Sequence, residues 1–340
     1  MLPGDHAETS VTREPRRERS SAMTTRSAGP TITVRSEVVQ PSADADARLA
    51  PARPATAAAT IVGWDASEPS RAALAWALRR NPRGALHLVH VLDRSQANAE
   101  YFVADSTATR AEGTFREEAD RIRRENPAVT ITSEFLVGDP ISHLRNLSGP
   151  NTLVVVGTHT RDGSPVRYEW SVGARLAGAA NGPIAIIPED TNPRATGVVV
   201  GVDGSAASAA ALAFAAAEAD CTGMKLRAIH AWQEPLVWRD TATPDPAFLY
   251  SLEQVHQQTL QNSVRTATDA YPQLPVTSTL VRGAPQWALL DAARGAALVV
   301  VGNHGLYGVR RLLLGLVSHS IVLNIQSPTV IVSASAEPRR

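Results

Sequence analysis

An internal repeat constrains this chain more than any other feature of its sequence. The run IVGWD at 61–65 recurs as VVGVD at 199–203. Several landmarks at one spacing predict two copies of one structural unit, and 340 residues suffice for two domains of ordinary size. Later landmarks keep an offset of 145 residues: Gly138 and Gly283, Pro140 and Pro285, LVVVG at 153–157 and 298–302, and Pro183 and Pro328.

Each copy predicts a doubly wound α/β domain. Short β-branched runs alternate with alanine-rich stretches, and the runs are continuously apolar, as is typical of parallel strands covered by helices on both faces. We therefore predict two tandem five-stranded parallel-sheet domains with flavodoxin-like layering, at 59–190 and 196–335. In the second copy we predict a long helix over 246–270 and strands near 197–203, 224–232, 275–282, 297–302 and 328–334.

Residues 1–58 differ in composition from the repeat. They are rich in Arg, Ser, Thr, Pro, Ala and acidic residues, with little apolar surface to offset the entropy of ordering. We predict a disordered tail here. The alternative is a docked strand near 31–39, where a few β-branched residues occur.

Composition excludes several classes of protein. Lys plus Arg and Asp plus Glu are 33 each, so no net charge favours nucleic acid or an anionic membrane as a partner. The single lysine, Lys225, lies outside any phosphate-binding lysine motif, which excludes a Walker-type NTPase. The sole cysteine, Cys221, cannot form an intramolecular disulfide. No run resembles a secretory signal or a membrane span, so we expect a cytoplasmic protein.

Two glycine-containing loops of the second copy fall where ligands bind in open parallel sheets. Such ligands lie beyond the carboxyl ends of the strands, where the strand order reverses. The corresponding loops are GVDGS at 201–205 and GNHGLYG at 302–308, and nine residues then separate Gly305 from Gly315 at the start of the next predicted helix. Glycine permits close backbone approach, and a helix N-terminus offers N–H groups to phosphate. The pattern predicts a polyphosphate site.

Here the chain resembles the universal stress protein family, whose nucleotide-binding members carry G-x-x-G, nine residues, and G-[S/T]. Gly302, Gly305 and Gly315 match this spacing, and Asp203 and the segment VRGAP at 281–285 are also similar to the family. The resemblance covers roughly residues 60 to 335. It implies an adenine nucleotide alpha hydrolase-like fold and an ATP site, with any Mg²⁺ arriving on the nucleotide.

The resemblance also implies roles for individual residues. Asp203 would face the adenine or ribose, the main chain of Ala231 would contact the base, and 302–305 would surround the phosphates. Leu316 departs from the family's Ser or Thr, and the missing hydroxyl is worth about 1–3 kcal/mol if it bonds phosphate. Ser318 is expected to replace it in part. The residues implied to contact nucleotide are Val202, Asp203, Ala231, Gly302, His304, Gly305, Gly315, Leu316, Val317 and Ser318.

The first copy departs further from the family pattern. Thr160 and Trp170 stand where the second and third glycines are expected, and a tryptophan side chain would keep a ligand from the backbone. We expect weak nucleotide binding there, or none. The remaining candidate positions of this copy are Asp65, Val91, Gly157 and Ser171.

Simpler interpretations stay open for several of these residues. Asp65 and Asp203 also fit as helix caps, and Gly305 fits as an ordinary turn glycine. His90 and His230, at matching strand ends, are interpreted as packed or hydrogen-bonded structural residues. Histidines and carboxylates do not group at metal-ligand spacing, and nucleophile-elbow, kinase and zinc-protease motifs are missing. We predict neither a metal site nor catalysis.

The resemblance makes an ATP-binding regulatory protein of the stress response the leading hypothesis. A nucleotide-free interaction scaffold and a slow ATPase are the alternatives. The last predicted strands, near 184–187 and 329–332, are apolar and lie at sheet edges, which invite pairing. Because this strand mediates dimers in the family, we expect the two copies to pair as an intramolecular pseudo-dimer, and a homodimer of whole chains is a further expectation.

Overall fold

A computed structural model of the protein describes residues 33–39, 59–93, 104–159, 171–234, 245–303 and 314–333. Side chains are described for all of these except 33–39 and 104–106. The predictions for His304, Gly305, Thr160 and Trp170 concern residues outside the described ones.

Eleven strands of the described chain form one sheet. The strands are β1 Thr33–Val39, β2 Ala59–Gly63, β3 Ala85–Leu92, β4 Thr130–Val137, β5 Thr152–Thr158, β6 Ile184–Pro188, β7 Val198–Gly201, β8 Leu226–Trp232, β9 Val276–Arg282, β10 Leu298–Asn303 and β11 Thr329–Ser333.

Eight described helices lie on the two faces of this sheet. They are α1 Glu68–Arg80, α2 Ala104–Glu125, α3 Pro140–Leu147, α4 Val172–Ala179, α5 Ala206–Thr222, α6 Pro246–Ala270, α7 Pro285–Ala293 and α8 Leu316–Leu323. Within the described part of the chain, each helix is too short or too polar to cross a bilayer.

The doubly wound fold is confirmed in both copies. Strand order is β4-β3-β2-β5-β6 in the first domain and β9-β8-β7-β10-β11 in the second, and all pairs within each series are parallel. In both orders the direction of winding reverses between the first and fourth strands of the domain. The carboxyl ends of β7 and β10 therefore frame a crevice in the second domain.

The continuous apolar runs are explained by a core on each side of the sheet. Along β10, Leu298 and Val300 enter the core under α1, α2, α5 and α6, whereas Val299 and Val301 enter the core under α3, α4, α7 and α8. Because successive side chains point to opposite faces of a strand, a strand buried on both faces needs apolar residues at every position.

The two domains are joined through their last strands. β6 and β11 pair antiparallel, with Thr329 opposite Ile186 and Ile331 opposite Ile184. The predicted pairing of these two strands is confirmed, and each core cluster contains residues of both domains. The pairing removes two apolar sheet edges from solvent.

The expected disordered tail is wrong for residues 33–39. This segment forms β1, which pairs antiparallel with the edge strand β9 from Thr33 opposite Arg282 to Val39 opposite Val276. An unpaired edge offers backbone N–H and C=O groups to any extended segment, so docking needs little apolar surface of its own. The docked-strand alternative was therefore correct, and β1 extends the sheet of the second domain to six strands.

Proline in β1 is expected to expose the edge of β9. N–H groups of neighbouring residues point to opposite sides of a strand, so Arg35→Pro and Ser36→Pro form a matched pair in which only one removes an N–H facing β9. In the variant that loses this N–H, the backbone amides of β9 should exchange with solvent about tenfold faster. The same variant should also self-associate more at high concentration. Hydrogen exchange and sedimentation velocity measure both effects, and wild-type behaviour in both variants would contradict the pairing.

Candidate functional site

A cleft opens at the carboxyl ends of β7 and β10. Its volume is about 180 Å³, and its inner walls are mostly apolar. Every described residue that the sequence implicated in the second domain lines it. The lining consists of Gly201, Val202, Asp203, Ser208, Ile229, Ala231, Pro285, Leu289, Val301, Gly302, Gly315, Leu316, Val317 and Ser318.

Asp203 caps the turn that leads from β7 into α5. Its Oδ1 accepts two hydrogen bonds from Ser205, one from the backbone N–H at 2.9 Å and one from the hydroxyl at 2.5 Å. Ser205 is in turn the N-cap of α5 and accepts from the Ser208 backbone N–H at 3.1 Å. Gly204 between them has φ +83°, a conformation that favours glycine. The N-cap of α5 is therefore Ser205 and not Asp203, which holds Ser205 in place, and the exposed Asp203 side chain also borders the cleft.

His230 anchors the loop that follows β7 through a hydrogen bond to the Val202 carbonyl. Its Nδ1 donates to the Val202 carbonyl at 2.7 Å, so in the neutral ring Nε2 accepts from His256 Nδ1 at 2.8 Å. His90 makes the equivalent bond to the Trp64 carbonyl in the first domain, at 2.8 Å. Both histidines are thus hydrogen-bonded structural residues, as interpreted.

Sequence reasoning missed the contact between His256 and His230. His256 lies on α6, stacks on Trp232 with ring centroids 4.9 Å apart, and meets a strand residue 26 positions earlier. Burial, and then the nearby His230, lower its pKa below the ordinary value. The long helix α6 was predicted, but its contact with β8 depends on tertiary packing.

Gly302 and Gly157 are required by packing. A Cβ on Gly302 would lie 2.5 Å from the Ala207 carbonyl oxygen, and one on Gly157 would lie 2.1 Å from the Pro69 carbonyl oxygen. In both domains the first turn of a helix therefore presses directly on the end of the fourth strand. These two glycines are needed whether or not a ligand is present.

Gly315 differs, because nothing in the described chain would touch a Cβ at this position. It is the N-cap of α8 and makes no side-chain cap bond, so the first N–H groups of the helix have no intrahelical acceptor. Leu316 follows with 76 % of its surface exposed. The helix N-terminus at the cleft is therefore a set of main-chain donors beside open space.

Ser318 does not supply the hydroxyl missing at Leu316. Its side chain is 2 % exposed, and its Oγ donates to the Gly302 carbonyl at 2.9 Å. The single hydroxyl proton is already used to hold α8 against β10. The expected partial substitution by Ser318 is therefore wrong for the side chain, although its main chain remains at the cleft.

In the first domain, the N-terminus of the corresponding helix, α4, has a side-chain cap. Ser171, the N-cap of α4, accepts from the Ala174 backbone N–H at 3.2 Å. Asp65 Oδ1 accepts from the backbone N–H and the hydroxyl of Ser67, at 3.0 and 2.5 Å, and Ser67 rather than Asp65 is the N-cap of α1. Burial raises the pKa of Asp65, but hydrogen bonds from Ser67 and Ser70 and the nearby His90 together lower it below the ordinary value. Val91 is half-buried near the end of β3.

Among the described residues, groups of three or more His, Cys, Asp or Glu suited to a metal ion are not found. The described lining of the cleft offers apolar walls, the Asp203 carboxylate and the main-chain N–H groups that begin α8.

The fold and this cleft define a tandem, doubly wound α/β protein with a crevice at the carboxyl ends of its strands. The family model described as "Universal stress protein family" matches residues 59–188 and 196–333. A universal stress protein of Mycobacterium tuberculosis is 30 % identical over 316 residues, covering 82 % of this chain and 96 % of the relative. The chain belongs to the universal stress protein family.

Solved structures agree with the fold. A universal stress protein from Archaeoglobus fulgidus matches with a TM-score of 0.60 and 17 % identity, covering 82 % of this chain and 99 % of that chain. A putative universal stress protein from Pseudomonas aeruginosa matches with a TM-score of 0.54 and 12 % identity, covering 82 % and 94 %. The tandem arrangement is thus shared along most of the described chain.

Proposed function

We propose that the second domain binds ATP and that nucleotide occupancy regulates the tandem unit as part of a stress response. The observation that carries the proposal is the N-terminus of α8, which opens on an apolar cleft without a side-chain cap. A helix N-terminus attracts phosphate through its N–H groups and its dipole. Among the described residues, none lies within 4 Å of where a Cβ on Gly315 would be, which leaves room for that approach.

The other walls of the cleft suit a nucleoside. Ile229, Leu289 and Val301 offer apolar surface of the kind that encloses a planar base. Asp203 lies at the same cleft, and a carboxylate accepts about four hydrogen bonds, so the two from Ser205 are compatible with a further one from a ribose hydroxyl. Any Mg²⁺ would arrive with the phosphates.

We expect binding without rapid turnover. The described residues around the cleft include one carboxylate, Asp203, whose Oδ1 already accepts two hydrogen bonds from Ser205. The proposed output is a change of conformation or partner affinity, in a cytoplasmic protein that forms a pseudo-dimer within the chain and a homodimer between chains. A scaffold that binds no nucleotide and a slow ATPase give different results in the test below.

Asp203→Ala is expected to weaken ATP binding about tenfold, since it removes a hydrogen-bond acceptor at the ligand. Asp65→Ala is the matched control, because Asp65 makes the same two bonds to Ser67 that Asp203 makes to Ser205. Both should cost a similar stability, about 1 kcal/mol, but only Asp203→Ala should change affinity.

Calorimetric titration with ATP, together with chromatography of nucleotide released on denaturation, measures both. Equal affinity in wild type and both variants would refute the site. The absence of heat and of released nucleotide in wild type would favour the scaffold, and phosphate release above background would favour the ATPase.

A further inference from the structure

Asn303 joins the two domains at the edge of the cleft. It ends β10, is 3 % exposed, and its amide makes two hydrogen bonds in opposite directions. Oδ1 accepts from the Gly315 backbone N–H at 3.3 Å, and Nδ2 donates to the Ala177 carbonyl at 3.3 Å. An N–H only donates and a carbonyl only accepts, so these partners fix which way the amide points.

Ala177 belongs to the last turn of α4 in the first domain, where carbonyl groups lack intrahelical donors. The Ala180 N–H returns to the Leu176 carbonyl at 2.8 Å, but the next one, from Asn181, goes to Ser148 Oγ at 2.9 Å. The Ala177 carbonyl is therefore satisfied from the second domain, by Asn303. A buried carbonyl that lost this donor would be costly.

Gly315 is the second partner of the Asn303 amide, at its oxygen end. It is the N-cap of α8, and residues 304–313 separate it from β10 along the chain. The Asn303 side chain ties Gly315 directly to the end of β10, across those residues. The position of the α8 N-terminus, and of its main-chain donors, thus depends on an amide that the first domain orients.

We propose that Asn303 is a positioning residue through which the first domain holds the phosphate-binding end of α8 in place. This inference rests on the proposed ATP site. In this proposal the first domain supports nucleotide binding by the second, because its Ala177 carbonyl orients the Asn303 amide. The first domain would have this role even though Ser171 caps its own corresponding helix.

The equivalent position of the first copy is Thr158, 145 residues earlier. A threonine hydroxyl is one atom, whereas an amide presents an acceptor and a donor on different atoms. A reverse bridge from Thr158 would need its single oxygen to reach both partners, which the longer Asn303 amide does with two atoms. The bridge seen among the described residues runs from Ala177 of the first domain to Gly315 of the second.

The test compares Asn303→Ser with the matched control Thr158→Ser by calorimetric titration of the full chain with ATP and with adenosine. Asn303→Ser should weaken ATP binding about tenfold and leave adenosine binding unchanged within about twofold, because only the phosphates use the α8 N-terminus. Thr158→Ser should change neither affinity. A merely structural loss would lower both affinities of Asn303→Ser together.

Equal weakening of ATP and adenosine, or no weakening, would overturn the role of Asn303 while leaving the ATP site intact. A wild-type protein that binds neither ligand would instead overturn the proposed function, and this inference with it. If Asn303→Ser fails to fold, Asn303→Thr, which carries the first-copy residue, is tested against the same two outcomes.

Discussion

Glu218→Ala is expected to lower the free energy of unfolding by about 3–5 kcal/mol, the usual cost of removing one partner of a buried ion pair. Glu218 on α5 meets Arg80 on α1, with side chains 4 % and 8 % exposed. Arg80 Nε donates to Oε2 at 2.8 Å, and its Nη2 donates to Oε1. Alanine would leave a buried guanidinium without its counter-charge at the contact between the two domains.

Two controls separate charge burial from loss of packing. Arg80→Met combined with Glu218→Met removes both charges and should recover most of the loss, since apolar replacement of a buried pair is often neutral or better. Glu112→Ala breaks an exposed pair with Arg116 and should cost less than about 1 kcal/mol. Urea unfolding followed by circular dichroism measures all three. A loss in Glu218→Ala no larger than in Glu112→Ala would show that the buried pair does not hold the domains together.

Leu316→Ser is expected to tighten ATP binding about tenfold, because a hydroxyl bonded to a charged phosphate contributes about 1.5–3 kcal/mol. Leu316 is the first residue of α8, lines the cleft and is largely exposed. The substitution removes little buried surface, so stability should change by less than about 0.5 kcal/mol. Ser318 cannot already supply this bond, since its hydroxyl proton is donated to Gly302.

Leu316→Ala is the control for side-chain size. It removes the leucine without adding a donor and should leave ATP affinity unchanged. Val172→Ser adds a hydroxyl at the first residue of α4 and should also have no effect, because the N-terminus of that helix is capped by Ser171. Calorimetric titration with ATP decides between these outcomes. If Leu316→Ser and Leu316→Ala raise ATP affinity equally, the effect comes from removing the leucine side chain and not from the hydroxyl. If Leu316→Ser does not raise ATP affinity, the phosphates do not bind at the N-terminus of α8.

Most of the fold was predictable because it depends on local pattern. Continuous apolar runs identified the parallel strands, and the helix predicted over 246–270 is α6, Pro246–Ala270. The pairing of β6 with β11 was also predicted, because apolar edge strands with unpaired backbone groups need a partner. The glycine spacing of the second copy indicated the positions that line the cleft.

Other features were beyond sequence reasoning because they join residues distant along the chain. Arg80 and Glu218 are 138 positions apart, and the Asn303 amide reaches Ala177 across 126. A docked strand near 31–39 could be offered as an alternative from the sequence, but its partner β9 could not, because the pairing uses backbone hydrogen bonds at a free edge.

The internal repeat and the continuous apolar runs were enough to predict the doubled α/β architecture, and the glycine spacing was enough to locate the candidate cleft. How individual polar groups are used became visible only in the folded chain. Ser318 and Ser171 lie at the start of corresponding helices of the two domains, yet one hydroxyl donates to a strand carbonyl and the other caps its own helix. The physical reason is that a hydrogen bond depends on which atoms packing brings within about 3 Å, and that distance is a property of the folded chain.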